Sequence, residues 1–147
     1  MNWLVALKIV HVLSVVLWVG GMFFAYVVLR PSLAVLEPAE RVALHTAVFR
    51  RFFLIVWHAM PLSILTGLAM LFGIYGGMAG VPWPIHAMLT LGLAMGAIFL
   101  AIFFGPYKQF RTAEDRPTKV AALDGIRKMI GLNLVLGLLT IALGVMR

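Results

Sequence analysis

Four stretches of this chain are long enough to cross a lipid bilayer as helices: Trp3 to Leu29, Phe52 to Ile74, Trp83 to Tyr107 and Met129 to Met146. Together they contain one lysine, Lys8, and no arginine, aspartate or glutamate. A hydrocarbon core about 30 Å thick takes about 20 apolar residues of helix, because every backbone amide inside it must be bonded within the protein. The sequence therefore predicts an all-α fold, a four-helix transmembrane bundle forming a single domain over residues 1–147. A more polar stretch from Thr118 extends the last helix toward water. With 63 % hydrophobic and 12 % charged residues, a water-soluble globule is excluded. The first segment has no basic leader before it and no small-residue cleavage site after it, so it is expected to remain in the mature protein.

The net charge of +7 does not point to nucleic acid, because the basic residues are not interleaved with aromatics on a soluble face. Ten of the Lys and Arg residues fall in two connections, Arg30 to Arg51 and Lys108 to Lys128, whereas "YGGMAGVPWP" between the second and third spans carries no charge. Basic loops stay in the cytoplasm, so both termini are expected in the periplasm of a bacterial inner membrane, with the lipid bilayer as the main partner. In the first connection Pro31 and Pro38 bracket a break, and Glu40 to Phe49 has the spacing of a short interfacial amphipathic helix between helices 1 and 2. Gly105-Pro106 ends the third span. Trp3, Tyr75 and Trp83 fall near one membrane face and Tyr26, Trp57 and Tyr107 near the other, as headgroup-level rings do. There is no cysteine, which excludes disulfides and thiolate metal sites. Any metal must use His, Met or oxygen.

Ionisable groups inside spans are costly and mark functional sites. Here they are Lys8, His11, His58 and His86, with Asn133 the clearest amide. At about 100° per residue, His11 shares a face with Ser14, Val15, Trp18 and Met22, and Gly20 and Gly21 flatten the helix beside it for a planar ligand. His86 aligns with Thr90, Leu93 and Ala97. Ser63, Gly67 and Met70 form the small stripe of the second span, and His58 points about 140° away from it. His58 is therefore assigned to the interface, or to a hydrogen bond with Asn133. The stripe Asn133, Gly137, Thr140 and Gly144, like Gly92 to Gly96, reads as helix packing. At ~1.5 Å per residue, His11 lies ~12 Å and His86 ~5 Å below the same face, with His58 ~21 Å down. Two imidazoles with no carboxylate nearby suit haem, whose porphyrin supplies the other four nitrogens. The expected site is bis-His haem b on His11 and His86, with His58 the weaker alternative iron ligand. Lys8 would face a propionate, and Ser14, Trp18, Gly21 and Thr90 would surround the ring. The function so read is single-electron transfer by a membrane oxidoreductase, with a quinol, superoxide or a tetrapyrrole as substrate.

The chain resembles the CopD-like membrane proteins and, more distantly, the HemJ-type protoporphyrinogen oxidases. The likeness is carried by "KIVHVLSVVLWVGGMFF", "FRRFFLIVWHAMPLSILTG", "PWPIHAML" and "IRKMIGLNLVLGLLT". The HemJ resemblance implies haem b on His11. Met88 stands where that group has a lysine, and the Leu-Pro-Arg-Leu run is replaced by "YVVLRPSL", so protoporphyrinogen oxidation is not carried over. The CopD resemblance implies the alternative, copper binding or uptake without haem, and Met78, His86 and Met88 then offer soft ligands near the periplasmic end. Either reading is compatible with a homo-oligomer.

Overall fold

The computed structural model describes residues 2–146, and among them every regular element is helical. Helix α1 (Trp3–Phe23) begins at Asn2, whose Oδ1 accepts from the Leu4 amide at 3.1 Å. It passes into a π-helical turn, Phe24–Leu29, then a single turn α2 (Arg30–Ser32) and a 3-10 turn, Leu33–Val35. Helix α3 (Pro38–Tyr75) follows, with the Glu40 carboxylate accepting from the Glu37 amide at its start and Gly76 at φ 69° ending it. Only a residue at ease in the left-handed region stops a helix this way. Helix α4 (Trp83–Phe104), a short α5 (Pro106–Thr112) and α6 (Arg116–Val145) complete the chain. Asp115 caps α6 by accepting from the Thr118 amide at 2.9 Å.

The four long helices are each apolar and long enough to span a membrane, and the protein is a multi-pass membrane bundle. Helix α1 lies along α3 and α4 along α6, and contacts of α1 with α6 and of α3 with α4 close the ring. Leu13, Val16, Leu17, Leu54, Leu65 and Leu139 project outward, as side chains facing lipid do.

Three expectations are corrected. The amphipathic stretch Glu40 to Phe49 is no separate interfacial helix but the first turns of α3, which runs 38 residues unbroken, about 57 Å. Nothing between Phe49 and Phe52 interrupts it, since Arg50 and Arg51 are good helix formers. The segment after Gly105 is not all loop. Helix α5 turns Tyr107 and Phe110 inward, so Tyr107, 6 % exposed, belongs to the core and not to a headgroup belt.

The bundle is packed differently at its two ends. Toward the basic connections, Phe49, Phe53, Phe99, Phe103 and Tyr107 interlock, with the Phe53 and Tyr107 ring centroids 4.1 Å apart. Arg111 stacks its guanidinium 4.7 Å from the Tyr107 ring centre. Toward Tyr75 and the start of α4 the facing residues include Gly67, Gly92, Gly137 and Gly144, and the interior is hollow.

Candidate functional site

All four spans line this hollow, a cavity of about 410 Å³. Helix α1 contributes His11, Val15, Trp18 and Val19; α3 contributes Ser63, Gly67 and Met70; α4 contributes Met88, Gly92 and Met95; α6 contributes Gly137, Thr140 and Gly144. A pocket of a few hundred Å³, mostly apolar with a few polar groups, is the usual form of a small-ligand site. Glycine does two jobs in its walls. At Gly92 a Cβ would meet nothing within 4 Å, so the missing side chain leaves open volume. At Gly67 a Cβ would stand 3.2 Å from His11 Cε1, so the glycine lets the imidazole lie flush against α3.

Two oxygens on α3 then meet one nitrogen of the His11 ring. Nδ1 lies 2.8 Å from the Ser63 carbonyl oxygen and 3.1 Å from Thr66 Oγ1. The carbonyl only accepts, and the Thr66 hydroxyl spends its proton on the Leu62 carbonyl, so in the neutral ring Nδ1 carries the hydrogen and donates to both. Nε2 is then the nitrogen with the lone pair. A histidine held through one nitrogen by a backbone carbonyl is oriented as metal-binding histidines usually are.

Beside this imidazole the cavity holds sulfur. Met70 and Met95 are 6 % and 2 % exposed, Met88 is half-buried, and all three line the cavity. Thr140 Oγ1 approaches Met95 Sδ at 3.8 Å, and a Cβ on Gly144 would sit 3.4 Å from Met88 Cε. Asn133, 1 % exposed and outside the cavity lining, donates from Nδ2 to the Met95 carbonyl at 3.2 Å. Its Oδ1 is buried with no partner among the described residues.

The other site residues expected from sequence scatter. His11 and Trp18 line the cavity; His86, Lys8, Ser14, Gly21 and Thr90 are not part of its lining. Ser14 is buried but donates to Val10 of its own helix, Thr90 donates to the His86 carbonyl, and Gly21 faces the Phe52 ring. Lys8 is exposed. His58 is exposed on the outside of α3 with Nδ1 against the Leu54 carbonyl at 2.8 Å, so it makes no bond to Asn133. Met78 lies in the connection after α3, 44 % exposed and outside the cavity. The cavity thus lacks the second imidazole that bis-His haem requires, and haem and the electron-transfer role built on it are without support. Sequence reasoning missed Met95 and did not connect Met70 with His11. The stripe Ser63, Gly67 and Met70 was the signal, since that face of α3 is the one His11 packs against. Among the described residues no group of three or more His, Cys, Asp or Glu is placed to hold a metal.

Comparison with curated proteins and with solved structures gives no match. The likeness to HemJ-type oxidases thus has no counterpart there. A family model described as copper resistance protein D matches residues 46–147, covering α3 from Thr46 onward and all of α4, α5 and α6. With more than half of its length inside that match, this four-span membrane bundle belongs to the copper resistance protein D family.

Proposed function

We propose that the protein binds Cu(I) in the four-helix cavity as cargo, with His11 and the sulfurs of Met70, Met88 and Met95 as its ligands, and so takes part in copper handling at a bacterial inner membrane. The observation that carries this reading is that one oriented imidazole and three methionines, from three different helices, line one cavity. Thioether and imidazole donors suit Cu(I), while oxygen-preferring ions have no carboxylate there. An apolar wall favours an ion that gives up its water for soft ligands. Family membership points the same way.

Titration of detergent-purified protein with Cu(I) released from a competing chelator tests this. Binding is expected to weaken at least about tenfold, or ~1.4 kcal/mol, in His11→Ala and in Met88→Leu/Met95→Leu, the leucines nearly conserving volume. Met78→Leu and His86→Ala should bind as the parent does. Cu(I) binding that survives loss of His11 and all three cavity methionines overturns the assignment. A reduced-minus-oxidised spectrum with sharp haem bands that vanish in His11→Ala restores the haem reading in its place.

The charge distribution supports periplasmic termini, which puts the cavity in the outer half of the membrane. A reporter joined after the last residue should behave as periplasmic and one inserted at Ala113 as cytoplasmic. The opposite pattern places the cavity on the cytoplasmic side.

A further inference from the structure

A second cavity, about 440 Å³, lies where the π-helical turn, α2, the start of α3 and the start of α6 meet. Its floor is apolar, with Leu33, Phe49 and Ile126 buried. Its wall carries four guanidinium groups, Arg30, Arg41, Arg116 and Arg127, together with His45 and a single acid, Asp124. That acid is already engaged, by Lys128 Nζ at 2.9 Å and by Arg127 at 3.4 Å. Arg41 is spent on structure, donating to the Leu36 and Ala34 carbonyls at 2.7 and 3.1 Å and so holding the 3-10 turn as one wall. Arg30 and Arg127 are close enough for their charges to oppose each other, and Arg127 Nε is buried with no partner among the described residues. The unspent buried Nε of Arg127 and the exposed guanidinium groups of Arg30 and Arg116 around the same cavity offer donors to an anion.

Phosphate is the anion that guanidinium groups match best, through paired N–H donors. The location favours one source of it. The cavity lies at the mouths of spans whose neighbouring residues Val27, Val28 and Val120 are exposed and apolar, so an acyl chain can follow the headgroup along the helix surface. Basic pockets between transmembrane helices at the level of the basic loops attract acidic lipid headgroups. We propose that this pocket holds the phosphate of an anionic phospholipid from the leaflet that the basic connections face, with Arg30, Arg116 and Arg127 as its donors. The site is independent of the copper cavity, since a cluster of guanidinium groups repels a metal cation.

Native mass spectrometry of delipidated full-length protein, with phosphatidylglycerol, phosphatidylcholine or inorganic phosphate added, tests it. Phosphatidylglycerol should be retained in preference to phosphatidylcholine, and the retained fraction should fall at least tenfold in Arg30→Gln/Arg127→Gln. The variant Arg50→Gln/Lys108→Gln removes the same charge outside the pocket and should retain lipid as the parent does. Circular dichroism and Cu(I) titration of each variant identify any loss of fold, and Arg116→Gln, on the exposed rim, gives a milder second reading. Equal loss in both double variants means that diffuse surface charge is responsible, and the pocket assignment fails. Displacement of the lipid by inorganic phosphate at millimolar concentration means that a free phosphate is the ligand, which overturns the lipid assignment.

Discussion

Phe53→Ala is expected to destabilise the bundle by about 3–5 kcal/mol, the range for deleting a fully enclosed aromatic ring. Phe53 is 1 % exposed, and its ring centroid lies 4.1 Å from that of Tyr107, 5.7 Å from Phe49, 5.8 Å from Phe103 and 5.9 Å from Phe99. Lipid tails are as apolar as these rings, so the hydrophobic effect contributes little to holding spans together and close packing contributes most. A void at this position forfeits dispersion contacts to α3, α4 and α5 at once, and neither lipid nor water reaches it to compensate. Phe72, 62 % exposed, gives the comparison: Phe72→Ala removes a similar ring from the outside and should cost less than about 1 kcal/mol. Unfolding in mixed detergent and dodecyl sulfate, followed by circular dichroism, measures both. Equal costs would mean that the aromatic end does not hold the bundle closed. Cu(I) binding should survive in whatever fraction of Phe53→Ala remains folded, because the cavity lies at the other end.

Asn133→Asp should be at least as damaging at neutral pH, although it exchanges a single NH2 for oxygen. The Asn133 side chain is 1 % exposed and its one hydrogen bond is donated to the Met95 carbonyl. A carboxylate there points a charged acceptor at a carbonyl acceptor with no cation nearby. Placing an ionised aspartate at the middle of a span costs about 2.5–3.5 kcal/mol by insertion measurements alone, and the lost bond adds to this. The expected outcome is little folded protein recovered from membranes. Asn133→Leu supplies the contrast: it gives up one hydrogen bond but also removes the unpartnered Oδ1, and the Met95 carbonyl stays in the helical ladder of α4. Its stability should stay within about 1.5 kcal/mol of the parent. If Asn133→Asp folds as well as Asn133→Leu, the amide is not sealed in the core.

Much of the fold was legible because it depends on local properties. The lengths of the apolar runs give four spans, and Gly105 ends the third through the chemistry of a single residue. The break expected between Pro31 and Pro38 falls at Leu36 and Glu37, with Pro31 itself inside helical turns, and the amphipathic pattern after it does not reveal whether a helix ends at the membrane surface or continues through it. The candidate site was legible only in part. His11 stood out as an imidazole in a span, and Ser63, Gly67 and Met70 stood out as a stripe, but nothing in either segment says that the two faces meet.

That meeting is a matter of helix pairing, which the sequence by itself left open. The chain alone determined an all-helical membrane protein with two basic connections and histidines inside its spans, because apolar length, charge and histidine in lipid carry their meaning wherever the helices sit. Only the tertiary structure decided the partners of His11. Helix α1 packs against α3, bringing Nδ1 to the Ser63 carbonyl, and the rotation of α4 turns Met88, Gly92 and Met95 to the cavity. His86 lies two residues before Met88, about 200° around the helix, and is carried off that face. A rotation of that kind is set by the packing of side chains from four helices together, so no single segment encodes it.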